Sequence, residues 1–393
     1  MVRSAVLPWV SWVGVSLLVA CSGAEGDGAG ASTSSGSATS GTGAASGTGA
    51  AASLGGAAPG TGAAASSGGD ETGGAGSPGT GGSATGGRGM GGGNGAVFTC
   101  PEVTPGATPT VGAATRIANA PQLDPPSPDL LDGPVWLNGA LHVSQLIMQD
   151  ERPPARVLKL VGADFEEVIA DSGSNGLAVD GAGRLIATSH GLSGIVAFDL
   201  NAPTTAPTVI ADEYEGVGFN SPNDLTIRGD GNIYFTDPAS RCRSCPQGSG
   251  PGQQRVYRVA PEGAVTAVAS AHEEPKAIAL SPDGNTLYVG GGRQGLEKFA
   301  VNPDGSVGAR ETFARGSGVN GLAIDCAGNV YAAVHMQKVV DVIGPDGVLH
   351  GSITVAQGPT NAAFGGPDNK TLYITTSSAS LYSITLDIPG YPY

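Results

Sequence analysis

Basic residues are scarce in this chain. There are 19 Lys and Arg against 34 Asp and Glu, for a formal net charge of −15 at pH 7. A nucleic-acid binder needs a concentrated basic surface, so the balance argues against that class. Helical periodicity is nearly absent, which leaves strands as the building material. The 66 glycines follow no strict three-residue period, so a collagen-like fibre is excluded. The apolar run from Ala5 to Ala20 is too short and too close to the N-terminus to be a spanning element.

Preceded by Arg3, that run reads as a secretion signal. It ends in Leu18-Val19-Ala20-Cys21, which resembles the lipobox cut by the lipoprotein signal peptidase. An ordinary signal peptide beside a chance cysteine is the plainer alternative. The lipobox reading makes residues 1–20 a lipoprotein signal peptide and Cys21 the lipidated end of the mature chain, held by acyl chains that do not span the bilayer. Ser22 follows in place of aspartate, which points to an outer-membrane lipoprotein of the cell envelope, periplasmic or surface-facing. Residues 21–96 are almost entirely Gly, Ala, Ser and Thr after the cysteine. With nothing to bury, they are expected to form a disordered tether. A coil of about 75 such residues has a root-mean-square span of roughly 45–50 Å.

Of the other four cysteines, Cys242 and Cys245 have C-x-x-C spacing in a polar loop. In an exported protein a small structural disulfide is the expected use, with redox chemistry or half a zinc site as alternatives. Cys100 and Cys326 could form a second bridge, tying the start of the domain to a later part of it.

Residues 97–393 are ample for one domain with a substantial core. Within them one pattern recurs six times: a polar residue, a short apolar strand, a Gly/Asp/Pro turn, and a second strand. The copies start at Asp132, Asn175, Asn223, Lys276, Asn320 and Asn361, roughly 41 to 53 residues apart, which is propeller-blade or solenoid spacing. Turns such as Gly229-Asp230-Gly231-Asn232 and Ser281-Pro282-Asp283-Gly284 separate β-branched and aromatic runs, as hairpins require. Third and fourth strands follow in most copies. A solenoid would need capping repeats, and none is present. The expected fold is therefore all-β, a six-bladed β-propeller, with Ala114 to Ala118 supplying the outer strand of the last blade.

Gly133-Pro134-Val135-Trp136, Ser221-Pro222-Asn223-Asp224 with Tyr234-Phe235-Thr236-Asp237-Pro238, and Phe364-Gly365-Gly366-Pro367-Asp368 together resemble the senescence marker protein, gluconolactonase and luciferin-regenerating enzyme-like propellers. The resemblance covers about Asp132 to Asp387. It implies hydrolysis of a small-molecule lactone or related ester, helped by a divalent cation, usually calcium, near one end of the central channel. The ligands it implies are a Glu, two Asn and an Asp, which fall on Asp132, Asn223, Lys276 and Asn320. Only Asn223 is unchanged.

Calcium takes about six to eight oxygens and binds more tightly as carboxylates accumulate. Here Asp132 contributes one negative charge and Lys276 a positive one, leaving Asp132, Asn223 and Asn320 as a weakened or lost metal site. The Lys276 ammonium can fill the space of the cation. Two histidines stand where second strands end near the ring, His190 and His335, and imidazole suits general-base work. Asp132, Asn223, Lys276, Asn320, His190 and His335 are thus the candidate catalytic residues. The alternative function is a non-catalytic propeller that binds a small molecule, glycan or protein at the envelope. A monomer is expected, in contact with membrane through its lipid alone and with no nucleic-acid partner.

Overall fold

The computed structural model describes residues 99–123, 126–148, 154–239, 254–270, 274–292, 295–316 and 318–391. Cys21, Cys242, Cys245 and the expected signal and tether lie outside these residues.

Six four-stranded antiparallel sheets follow one another along the chain. Blade one comprises Asp129–Leu137, Ala140–Ile147, Ala155–Val161 and Asp164–Ile169. Blade two comprises Ser174–Val179, Leu185–Ser189, Gly194–Phe198 and Thr208–Ala211. Blade three comprises Leu225–Ile227, Ile233–Asp237, Arg255–Val259 and Val265–Ser270. Blade four comprises Pro275–Leu280, Thr286–Gly291, Gly295–Val301 and Val307–Ala314. Blade five comprises Val319–Ile324, Val330–Val334, Val339–Ile343 and Leu349–Thr354. Blade six takes Pro359–Gly365, Thr371–Thr376 and Ser380–Thr385 from the end of the chain and Thr115–Asn119 from its beginning.

That last pairing closes the circle. Thr115–Asn119 lies antiparallel to Ser380–Thr385, one residue beyond the Ala114–Ala118 that the sequence suggested. The disulfide between Cys100 and Cys326 fastens the segment just before it to the first turn of blade five. Among the described residues the one helical element is a single turn at His335–Gln337.

The core lies between blades, where apolar side chains of adjoining sheets interleave. Tyr331, Phe364 and Leu372 pack blade five on blade six, and Tyr257, Phe235 and Phe219 fill the space beside blade three. Innermost strands of successive blades touch in order, and those of the sixth and first meet. Blades one and four, and three and six, therefore face each other across the axis.

Candidate functional site

A β-bulge recurs at one level of the ring. The pairing of first and second strands shifts register between Pro275 and Ala277, Val319 and Gly321, and Pro359 and Asn361. It shifts likewise between Asp132 and Val135 and between Ser174 and Leu177. A bulge frees one residue from the ladder and re-aims its side chain. In blades four, five and six the freed residues are Lys276, Asn320 and Thr360. In blade three the ladder begins at Leu225, so Asn223 precedes it.

The result is one cavity of about 390 Å³ at the mouth of the channel. Its wall includes Asp132, Asn175, Asn223, Lys276, Asn320 and Thr360, one from each blade, with His335 and Ser377 at the side. The structure thus brings Asp132, Asn223, Lys276, Asn320 and His335 together. His190 is 2% exposed and sits behind Asn175, its Nε2 3.4 Å from the Asn175 amide nitrogen and off the cavity wall. The sixth member of the ring is Thr360, where the repeat had suggested Asn361. The two adjacent polar residues make the column ambiguous by one position, and the bulge decides it.

Asn361 belongs to the next level down, with Gly133, Gly176, Asp224, Ala277 and Gly321. There Asn361 Nδ2 donates to Asp224 Oδ2 at 3.2 Å, spanning the axis from blade six to blade three. The glycines make room for this floor. A Cβ on Gly321 would stand 2.1 Å from Asn361 Oδ1, and one on Gly176 2.7 Å from Asp224 Oδ1. Burial, and secondarily the charge of Asp132, hold the Asp224 carboxyl well above the usual carboxylate range. Sequence reasoning passed over Asp224, although a carboxylate directly after a ring residue was the available signal.

Buried hydroxyls fix the ring from behind. Thr188, on the second strand of blade two, donates to the Asn223 carbonyl at 2.8 Å and accepts from the Gly176 N–H at 2.8 Å. Thr236, one blade on, donates to the Lys276 carbonyl at 2.7 Å and accepts from the Asp224 N–H at 3.1 Å. Thr360 donates to the Leu131 carbonyl at 2.5 Å, completing the link from the last blade to the first. Each donated bond crosses to the neighbouring blade beside a cavity residue, while the bonds that Thr188 and Thr236 accept stay within their own blades.

Asp237 anchors the approach to Asn223. Its carboxylate accepts from the Asn220 N–H at 3.0 Å, the Asn220 amide at 3.1 Å and the Ser221 N–H at 2.8 Å. Burial raises its pKa to about 7 against those bonds. His335 is placed by its helical turn, and Gly358 clears its ring: a Cβ there would meet His335 Cε1 at 2.6 Å.

The donor set can be compared with what calcium requires. The ring offers one carboxylate, three primary amides, a hydroxyl and an ammonium, and the carboxyl one level down, Asp224, is biased toward its neutral form. Among the described residues no three His, Cys, Asp or Glu converge as a metal group. A set with a single carboxylate and a resident cation does not fit calcium at this position.

Residues 142–378 match the family profile of the SMP-30/Gluconolactonase/LRE-like region. A gluconolactonase of Zymomonas mobilis subsp. mobilis is 28% identical over 279 residues, covering 63% of this chain and 76% of the relative. Pentonolactonase XacC of Haloferax volcanii is 29% identical over 155 residues, 37% of this chain and 53% of its own. Among solved structures, a gluconolactonase of Xanthomonas campestris superposes with a TM-score of 0.59 at 26% identity, covering 74% of this chain and 99% of that one. A calcium-binding regucalcin of Agrobacterium tumefaciens superposes at 0.55 with 21% identity, covering 74% of this chain and 96% of that one, which shows the shared fold.

Proposed function

Because this chain belongs to the SMP-30/Gluconolactonase/LRE-like family, we propose that it hydrolyses a lactone or related small ester at the channel mouth, without calcium. The observation that carries this reading is the convergence of Asp132, Asn223, Lys276, Asn320 and His335 on one cavity. The Lys276 ammonium and the Asn223 and Asn320 amides would donate to the lactone carbonyl oxygen, where negative charge grows as water adds. The His335 imidazole would take a proton from that water and return it to the ring oxygen as the C–O bond breaks, releasing a hydroxy acid. Asp132 would orient the water and balance the lysine charge.

Hydrolysis of sugar lactones and aryl esters, with and without a chelator, tests this. The expected result is turnover that survives the chelator and falls about 10²–10³-fold in Lys276→Ala, the scale of losing one oxyanion donor. Turnover abolished by the chelator removes the calcium-free mechanism. The ammonium in a ligand position favours one other reading, a non-catalytic propeller that binds a small molecule, glycan or protein; absence of turnover on the whole panel would favour it.

We further propose that Cys21 carries the acyl chains of an outer-membrane lipoprotein, supported by the Leu18-Val19-Ala20-Cys21 sequence after an apolar run. Mass spectrometry of the N-terminal peptide tests this, and an unmodified Cys21 refutes it.

A further inference from the structure

The cavity is polar around most of its wall and apolar on one side. Leu130, Leu146 and Met148 supply that side, and all three come from blade one. The cause is strand length. The innermost strand of blade one starts at Asp129, before the ring residue Asp132, whereas that of blade three starts at Leu225, after Asn223. Residues two apart on a strand share a face, so Leu130 stands beside Asp132 and one step nearer the mouth. Its cross-strand partner is Leu146, and Met148 lies one step further along. A polyol laid against this wall would lose water from its hydroxyls and gain no partner in return.

We propose that the substrate is amphipathic: a lactone whose ring meets Lys276, Asn223 and Asn320 and whose aliphatic substituent lies along Leu130, Leu146 and Met148. The inference names the substrate class and rests on the lactone reading above. The polar ring and the apolar wall share one cavity, so a single small molecule can meet both.

A series of 5-alkylpyrrolidin-2-ones, lactams that carry the ring and the chain but lack the ester, measures the wall by calorimetry on the whole chain. Each buried methylene contributes about 0.8 kcal/mol, so Kd should fall about fourfold per carbon over the first few members. The double variant Leu130→Asn with Met148→Gln should flatten the series. Met148→Gln alone, at a half-buried position, should make it shallower if the double variant folds poorly. A flat or absent series in the wild type, or one equally steep in Met148→Gln, overturns the proposal. Parallel hydrolysis of γ-alkyl-γ-butyrolactones and of glucono-δ-lactone separates this inference from the reading beneath it. A steep lactam series with no lactone hydrolysed keeps the amphipathic pocket and removes the hydrolase. Sugar-lactone hydrolysis over a flat lactam series keeps the hydrolase and overturns the pocket.

Discussion

Asn361 and Asp224 reach each other across the propeller axis, the amide of one donating to the carboxyl of the other at 3.2 Å. They form the floor beneath the cavity, and the glycines beside them leave the space that this contact occupies. The ring above is left with Asp132 as its one carboxylate, opposite Lys276. The charge balance of the mouth is therefore set by two levels of the channel together.

Restoring two of the ligands that the family resemblance implies should create a calcium site. In the pair Lys276→Asn with Asn320→Asp, the ring loses its cation and gains a second carboxylate, and calorimetry should show calcium binding that the parent lacks. Micromolar binding by the parent, abolished in Asp132→Ala, would show that the ammonium does not exclude the ion.

Thr236→Val preserves shape and removes one hydroxyl. The Lys276 carbonyl and the Asp224 N–H would each lose a partner, at a cost of roughly 1–3 kcal/mol in unfolding free energy. Urea unfolding measures this cost. Because the bond pins Lys276, hydrolysis should fall as well, by about tenfold. Unchanged stability would mean that water replaces the hydroxyl.

Asp237 makes stability depend on pH. Its folded pKa of about 7 lies above the ordinary 3.8, so between these values the native state holds a proton that the unfolded chain has released. Its contribution is fully present below the unfolded pKa and is lost as pH rises through about 7, by a few kcal/mol in all. The thermal midpoint should fall between pH 4.5 and pH 7.5, and Asp237→Asn should fall less over the same range. Asp224 acts with the same sign, so some slope remains in that variant. An identical slope in the two proteins would locate the titration elsewhere.

Replacing Cys100 and Cys326 together by serine should lower stability by roughly 2–5 kcal/mol, read as a drop in the thermal midpoint. The propeller should still close, because Thr115–Asn119 keeps its ladder and the Gly106 N–H its bond to the Ala327 carbonyl. Loss of the folded state altogether would make the bridge a condition of closure.

The blade hairpins were legible because turn residues and β-branched runs alternate at a fixed period, and the closing strand because one blade lacked its outer member. Five cavity residues were legible for the same reason: a repeat places equivalent positions on one ring. Thr360 was not, since hydrophobic patterning fixes a strand only to within a residue and the bulge that selects Thr360 over Asn361 is a backbone feature. Asp224 was hidden by its neighbour Asn223, and its contact with Asn361 joins positions 137 residues apart. The apolar wall depends on how far one strand continues past its ring residue, which periodicity leaves open.

The order of two fastenings along the chain has a mechanical consequence. Cys100 precedes Thr115–Asn119, so tension applied from the N-terminal side meets the covalent link to Cys326 first. The load passes into blade five, and the hydrogen-bonded seam of blade six is spared from being peeled open. A domain pulled from that end is gripped by a rivet ahead of its zip.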